Sequence, residues 1–259
     1  MKSSNVEKIK SAFTAQAEHF ETHKGNFTNK EYLDYVVSEV QPKKEDNVLE
    51  AAAGTCVCGR TFAPLVHSVT CVDLTPAMLS VGREQAEKQE LKNMSFVIGD
   101  VNELPFLDNR FDIVISRLAF HHFADVNRAF SEMARVLKKG GIFVFIDMEA
   151  TDEELRSVQD EIETMRDASH IKNLSKEEIL KLFRDNHISI EKSSTVIMKK
   201  NLNDWLDFTN TPADMKKTIM GLFADDLSGK NKTGFYPYVE GSEVFFEHKW
   251  LMVIGKKEE

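Results

Sequence analysis

Cysteine is scarce in this chain: Cys56, Cys58 and Cys71 are its whole complement. Thiols so few and so clustered cannot form the disulfide framework of a small secreted domain, and no signal-type apolar segment follows Met1, so a cytoplasmic protein is expected. Long hydrophobic runs are missing as well; residues 143–146 and 251–254 are apolar only over strand lengths, far short of a bilayer span. Basic excess is absent, with 42 Asp and Glu against 33 Lys and Arg and a formal net charge of -9. A broad, sequence-independent grip on nucleic acid needs clustered cations, so no nucleic-acid partner is expected. Two glycine signatures are also lacking. Without Gly-x-x-x-x-Gly-Lys-Ser/Thr a phosphate-gripping ATPase or GTPase is unsupported, and without Gly-x-Gly-x-x-Gly a nicotinamide dehydrogenase loses ground.

What is present is enough apolar matter for a sizeable core: 42% of the 259 residues are hydrophobic and 29% are charged. Two helical patterns, residues 6–20 and 29–40, flank a Gly25-Asn26 turn, the second with Asn29 as its cap. From residue 47 short apolar runs alternate with amphipathic ones: strands at 48–50, 68–73, 95–98, 111–116 and 142–147, and helices after Gly54, at 75–88 and at 126–137. That alternation describes βαβ crossovers on a parallel sheet. Polar helices follow at 152–165 and at 175–185, the latter with a capping box of Ser175 and Glu178. Then come a strand at 188–198, a short helix at 202–208, a helix capped by Thr211 and opened by Pro212, turn-like residues 229–234, and a last strand at 244–254.

Chemistry concentrates at the strand ends. Small residues Ala51 to Gly54 after Glu50 let a backbone approach a ligand closely, and the following helix start offers N–H groups. Asp73, ending the second strand, can accept both hydroxyls of a ribose, and Asp100, ending the third, can receive an adenine amino group. A helix cap or a bare turn aspartate would have the same local sequence. All three converge if the sheet is parallel, because its carboxyl edge is where such sheets bind ligands.

The segments Val48-Leu49-Glu50 with Gly54-Thr55, Val72 to Leu79, Gly99-Asp100-Val101 with Leu104-Pro105-Phe106, Phe111 to Val114, and Arg135 to Gly141 resemble, in order and spacing, the class I S-adenosylmethionine-dependent methyltransferases, particularly the ubiquinone and menaquinone methyltransferase branch. The likeness spans roughly residues 10–150. It implies a Rossmann-like α/β fold with a seven-stranded, mostly parallel sheet, the last strand antiparallel, and helical additions. The whole chain is then one methyltransferase domain: residues 1–45 a helical lid, 46–150 the cofactor core, and 151–259 the substrate-cavity helices and last two strands. S-adenosyl-L-methionine is the implied cofactor and S-adenosyl-L-homocysteine the product.

Carried over by position, the resemblance puts Glu50, Ala52, Ala53 and Gly54 at the methionine moiety, Asp73 at the ribose, Leu74 and Met78 along the adenine, and Gly99, Asp100 and Val101 at its edge. Arg117 to Phe120 then lie near the methyl group. One departure stands out: the family loop has glycine where this chain has Ala52 and Cys56. A small organic acceptor, methylated at oxygen or carbon, is expected, and a homodimer is left open. His121 and His122, after the fourth strand, are candidates for a general base or substrate ligand, with capping as their plainer role. Arg166 and His170 share a helix face if that helix continues, and Trp205, Phe208, Phe245 and Phe246 either wall an apolar acceptor or pack in the core. Cys56, Cys58 and Cys71 lack zinc-site spacing, so no metal is expected. The rival functions are a noncatalytic or regulatory cofactor binder, a nicotinamide-dependent oxidoreductase, and methylation of RNA or protein.

Overall fold

The computed structural model describes residues 2–17, 20–21 and 28–259, so the expected Gly25-Asn26 turn lies outside the described residues. Its strands are β1 (Asn47–Ala51), β2 (Ser68–Asp73), β3 (Met94–Ile98), β4 (Phe111–Arg117), β5 (Leu137–Met148), β6 (Ile188–Asn201), β7 (Tyr238–Glu240) and β8 (Glu243–Lys257). Its helices are α1 (Lys2–Gln16), α2 (Lys30–Val40), α3 (Val57–Phe62), α4 (Pro76–Lys88), α5 (Val126–Val136), α6 (Glu153–Arg166), α7 (Lys176–Asp185), α8 (Leu202–Phe208) and α9 (Ala213–Leu227).

Among the described residues the strands form one sheet in the order β3-β2-β1-β4-β5-β8-β6, with β7 paired to β8 beside that path. Neighbours from β3 through β5 are parallel, and β8 runs antiparallel to β5, β6 and β7. The order reverses at β1, which pairs with both β2 and β4, so a crevice opens at the carboxyl ends of β1 and β4.

The strands are nearly continuous apolar runs because helices cover both faces; Val48, Leu49, Val114, Val144 and Phe145 are wholly buried. One apolar cluster joins α2 and α3 to the sheet, and a second joins α5 and α7 to its other face. A third, built on Trp205, Phe223, Phe235 and Phe246, sits under α6, α8 and α9. The start of β8 belongs to this third cluster, and its pairing with β6 carries β6 to Asn201, a few residues past the expected end at 198, while β8 begins at Glu243, beside its expected start.

Local signals act as the residues require. Asn29 Oδ1 accepts the Tyr32 N–H at 3.0 Å, and Ser175 and Glu178 close their capping box. Three expectations are corrected. Tyr238–Glu240 forms an extra strand, because Gly241 at φ 62 allows a tight turn into β8. Leu137, with Lys138 to Gly141, joins β5, Gly140 at φ 71 accommodating the register break opposite β4. Thr211 does not cap α9; Pro212 takes that place, and the Thr211 hydroxyl donates instead to the Arg166 carbonyl at 3.1 Å. As its expected span of 152–165 implies, α6 stops at Arg166; the condition for a face shared with His170 is not met.

No helix among the described residues is long and apolar enough to cross a membrane.

Candidate active site

The turn after β1 is built on left-handed backbone. Ala52, Gly54 and Cys56 have φ of 53, 53 and 60, so alternate positions of the loop require a conformation that glycine adopts freely and other residues adopt at a cost. The loop is pinned from below and in front. Glu50, buried at 3%, receives the Cys58 and Gly59 N–H groups of α3 at 3.2 and 2.7 Å. A methyl group at Gly59 would stand 2.8 Å from the Glu50 carboxylate, so glycine is what lets that carboxylate reach the helix start. Burial lifts the Glu50 pKa to about 7 even though those N–H groups favour the charged form. Asp73 Oδ2 accepts the Gly54 N–H at 2.8 Å, and its Oδ1 accepts that of Thr75 at 2.8 Å.

In front of this loop lies a cavity of about 550 Å³. Every residue expected at the cofactor lines it: Glu50, Ala52, Ala53, Gly54, Asp73, Leu74, Met78, Gly99, Asp100, Val101 and Arg117. Asp100 Oδ1 holds the Asn102 backbone and side-chain N–H groups at 2.8 and 2.7 Å. Val6, Ile9 and Phe13 of α1 close the far wall.

A second cavity, about 310 Å³, adjoins the first; Phe13, Phe20, Leu118 and His122 line both. Leu118, at φ 54, folds the chain back after β4, its N–H donating to the Ile146 carbonyl at 2.7 Å. That fold-back carries His121 over the carboxyl end of β5. There His121 Nδ1 lies 2.7 Å from Asp147 Oδ1, and Asp147 Oδ2 accepts the His121 backbone N–H at 3.2 Å. Behind, the Ile171 and Lys172 N–H groups hold the His121 carbonyl. Burial by itself would lower the His121 pKa, but Asp147, with Glu163 and Asp167 beyond it, carries it above the usual histidine value. Because Asp147 stays ionised, it can only accept, so Nδ1 carries the proton and Nε2 is the basic nitrogen.

His122 differs from its neighbour. Its Nδ1 is 3.1 Å from Ser169 Oγ, whose own hydrogen goes to Asp167 Oδ1 at 2.6 Å. Burial, and the neighbouring His121, push its pKa down to about 3, so it is neutral at pH 7. Phe13 packs edge-on against its ring at 5.0 Å.

The second cavity gathers several other expected residues. Trp205, Phe208, Phe245 and Arg166 line it, whereas Phe246 is wholly buried in the core behind. Phe120, expected near the methyl group, instead packs against Phe123, Phe130 and Phe145. His170 is buried and its Nε2 pairs with Asp160 at 2.9 Å. Cys56, Cys71 and Glu50 offer ligand atoms within 4.8 Å of one another, but both thiols are committed: Cys56 Sγ donates to the Gly54 carbonyl at 3.7 Å and Cys71 Sγ to Glu50 at 3.6 Å.

The methyltransferase domain family matches residues 49–145, the stretch that builds the loop and the β1–β5 edge. YcgJ of Bacillus subtilis, an uncharacterised methyltransferase, is 31% identical over 80% of this chain and 82% of its own. Its crystal structure superposes with a TM-score of 0.81 at 29% identity, over 88% of this chain and 98% of that one. The chain belongs to the class I S-adenosylmethionine-dependent methyltransferases. The cofactor is therefore S-adenosylmethionine and the product S-adenosylhomocysteine, and the nicotinamide alternative falls. YafE of Escherichia coli, an uncharacterised protein, is 32% identical over 74% of this methyltransferase and 91% of its own length. The likeness to UbiE of Zymomonas mobilis, a ubiquinone/menaquinone biosynthesis C-methyltransferase, is 32% identity over only 46% of this chain and 50% of that one.

Asp147 and Lys200 were not among the residues expected at the site. Asp147 had a signal, an acidic residue ending a strand like Asp73 and Asp100. Lys200 had none, since a lysine near a strand end looks ordinary in sequence; Leu118 lies in the expected 117–120 stretch, but its left-handed backbone has no sequence signal.

Proposed function

We propose that this methyltransferase binds S-adenosylmethionine in the larger cavity and methylates an oxygen or carbon atom of a small organic acceptor seated in the smaller one, with His121 as general base. The observation that carries the reading is the shared neck of the two cavities, with the Asp147–His121 pair beside it.

The larger cavity suits a sulfonium nucleoside. Asp73 and Asp100, on adjacent strand ends, supply acceptors for ribose hydroxyls and an adenine edge, while Leu74, Met78 and Val101 supply an apolar slot for a base. Asn102 Oδ1, buried and without a protein partner, is a further acceptor on the same wall. A methyl group placed on Gly54 meets nothing within 4 Å, so the space before the loop is open. When bound, the cofactor supplies an electrophilic methyl group on sulfur.

The chain's own residues do the rest. In-line substitution needs reactants held about 3–3.5 Å apart and aligned, with water excluded. Phe13, Phe20 and Leu118 narrow the passage between cavities to apolar surface. His121 Nε2 takes the proton of a weakly acidic hydroxyl or carbon, and Asp147 stabilises the imidazolium that forms. Neutral His122 is a wall of the neck and a weak hydrogen-bond partner. The partial likeness to a quinone C-methyltransferase covers less than half of this chain, so it supports carbon as an acceptor atom without pointing to a quinone.

The test has two arms. Calorimetric titration of the full chain should give saturable binding of S-adenosylmethionine and S-adenosylhomocysteine, with no binding of NAD. Methyl transfer to a panel of phenols, enols and activated-carbon compounds should fall about 10²–10⁴-fold in His121→Ala. Absence of sulfur-ligand binding, or transfer indifferent to His121, would defeat the proposal.

A further inference from the structure

Two histidine rings stand side by side where the cavities join. His121 and His122 both line the smaller cavity, His122 the larger one as well, and their ring centroids are 4.0 Å apart. Each ring is tied to the protein through Nδ1, to Asp147 in one case and to Ser169 in the other, so each Nε2 lies on the side away from its tie. Among the described residues no protein group bonds either Nε2, and neither nitrogen is sealed from the ligand space.

The hydrogen of His122 is placed by a chain of side chains. Asp167, 5% exposed, accepts the Ser169 hydroxyl at 2.6 Å, the Ser169 N–H at 2.9 Å and the Gln16 side-chain amide at 3.5 Å. Ser169, itself 1% exposed, has one hydroxyl hydrogen, and Asp167 takes it. The Ser169 oxygen is thereby left to accept from His122 Nδ1, 3.1 Å away, so that nitrogen carries the hydrogen of the ring. The other tautomer would face a serine lone pair with a histidine lone pair in a buried place, where an unmade hydrogen bond costs most. His122 therefore keeps its lone pair at Nε2. His121 has the same tautomer but is basic, whereas His122 stays neutral, so the two nitrogens differ in what they ask of a ligand: one takes a proton and the other only accepts a hydrogen bond.

On the reading of His121 as the general base, we propose that His122 Nε2 accepts a hydrogen bond from the acceptor molecule, that Ser169 and Asp167 are positioning residues holding it in that state, and that the acceptor carries a second O–H or N–H donor next to the atom it has methylated. An ene-diol or an aromatic vicinal diol is the chemical class. One of its oxygens gives its proton to His121 and attacks the methyl group, while the neighbouring hydroxyl donates to His122. Two contacts on adjacent atoms fix the direction of the nucleophile, which in-line transfer requires. A lone hydroxyl satisfies one nitrogen and leaves the other without a donor beside the apolar surface of Phe13 and Leu118. The methylated product has lost one donor, so it binds less well than the diol and a second methylation is disfavoured.

The experiment titrates the full chain, saturated with S-adenosylhomocysteine, with naphthalene-2,3-diol, 2-naphthol and 3-methoxy-2-naphthol. The diol should bind about three- to tenfold tighter than 2-naphthol, the margin of one neutral hydrogen bond, and the methoxy compound no tighter than 2-naphthol. His122→Phe should erase the advantage of the diol. Proton–nitrogen correlation NMR should place the His122 hydrogen on Nδ1 in the wild type. Ser169 lines neither cavity, so Ser169→Ala should leave S-adenosylhomocysteine affinity unchanged while moving that hydrogen toward Nε2 and reducing the diol advantage with it. Equal binding of diol and naphthol, a wild-type His122 hydrogen on Nε2, or a diol advantage untouched by either variant would overturn the inference. Failure of the reading beneath it looks different: S-adenosylhomocysteine would not bind, or the diol would compete with it.

Discussion

Replacing Ala52 with glycine should make the protein more stable while leaving the cavity in front of it open. Ala52 sits at φ 53, where an L-residue pays about 1–2 kcal/mol relative to its ordinary backbone. Glycine removes that strain but gives back about 0.5–1 kcal/mol through the greater freedom of the unfolded chain. The net expectation for Ala52→Gly is a gain of about 0.5–1 kcal/mol, which in a chain of this size raises the unfolding midpoint by about 1–4 °C. Cys56, at φ 60, carries the same strain but must not respond alike. Its side chain is wholly buried, donates to the Gly54 carbonyl at 3.7 Å and is lodged where a methyl group on Gly82 would come within 2.8 Å. Losing that packing costs on the order of 1–2 kcal/mol and cancels the relief, so Cys56→Gly should be neutral or destabilising. Urea unfolding with matched m-values, backed by thermal melts, measures both variants, and calorimetry with S-adenosylhomocysteine checks that the loop still accepts ligand. A loss of about 1 kcal/mol or more in Ala52→Gly would refute the strain argument, and equal stabilisation by the two glycines would refute the packing argument.

Three other outcomes follow from the site. Asp73→Asn should weaken S-adenosylhomocysteine binding about tenfold to a hundredfold in a calorimetric titration, because a charged acceptor of hydroxyls and of the Gly54 N–H is lost. Asp147→Asn should lower the His121 pKa, moving the acid limb of the kcat–pH profile to lower pH while reducing its plateau; a limb that stays put would remove His121 as the titrating base. Glu163 is buried, which would raise its pKa, yet Arg166 and His248 hold it well below the usual carboxylate range. A folded pKa below the unfolded value of about 4.3 means stabilisation that is complete above that value and lost as pH falls toward the folded one. Glu163→Gln should therefore cost about 3–5 kcal/mol at neutral pH by leaving Arg166 unpaired, and urea unfolding should show the gap to wild type narrowing below about pH 4.

The sequence by itself determined what depends on neighbours along the chain. Alternating apolar and amphipathic runs set the strands and crossover helices, since a segment buries one face only at the period its backbone imposes. Asn29 and the Ser175–Glu178 pair declared helix starts because a cap acts within one turn. Asp73 and Asp100 were legible as ligand candidates because parallel connectivity brings strand ends to a common edge whatever the remaining details.

Tertiary structure alone decided the rest. That Ala52 and Cys56 are left-handed is a property of the turn between β1 and α3, held there by Glu50 and Asp73, and no residue type announces it. His121 and His122 are adjacent in sequence, yet one faces Asp147 and the other Ser169, so burial and a carboxylate push their pKa values in opposite directions. Trp205 and Phe246 read alike as aromatic candidates, but the third apolar cluster turns one toward the cavity and buries the other. Lys200, an unremarkable residue on a strand, is buried because the pairing of β6 with β8 continues to Asn201 and brings it to the wall of the smaller cavity. Such properties belong to the field and space made by residues distant along the chain, and those exist only once the chain has closed on itself.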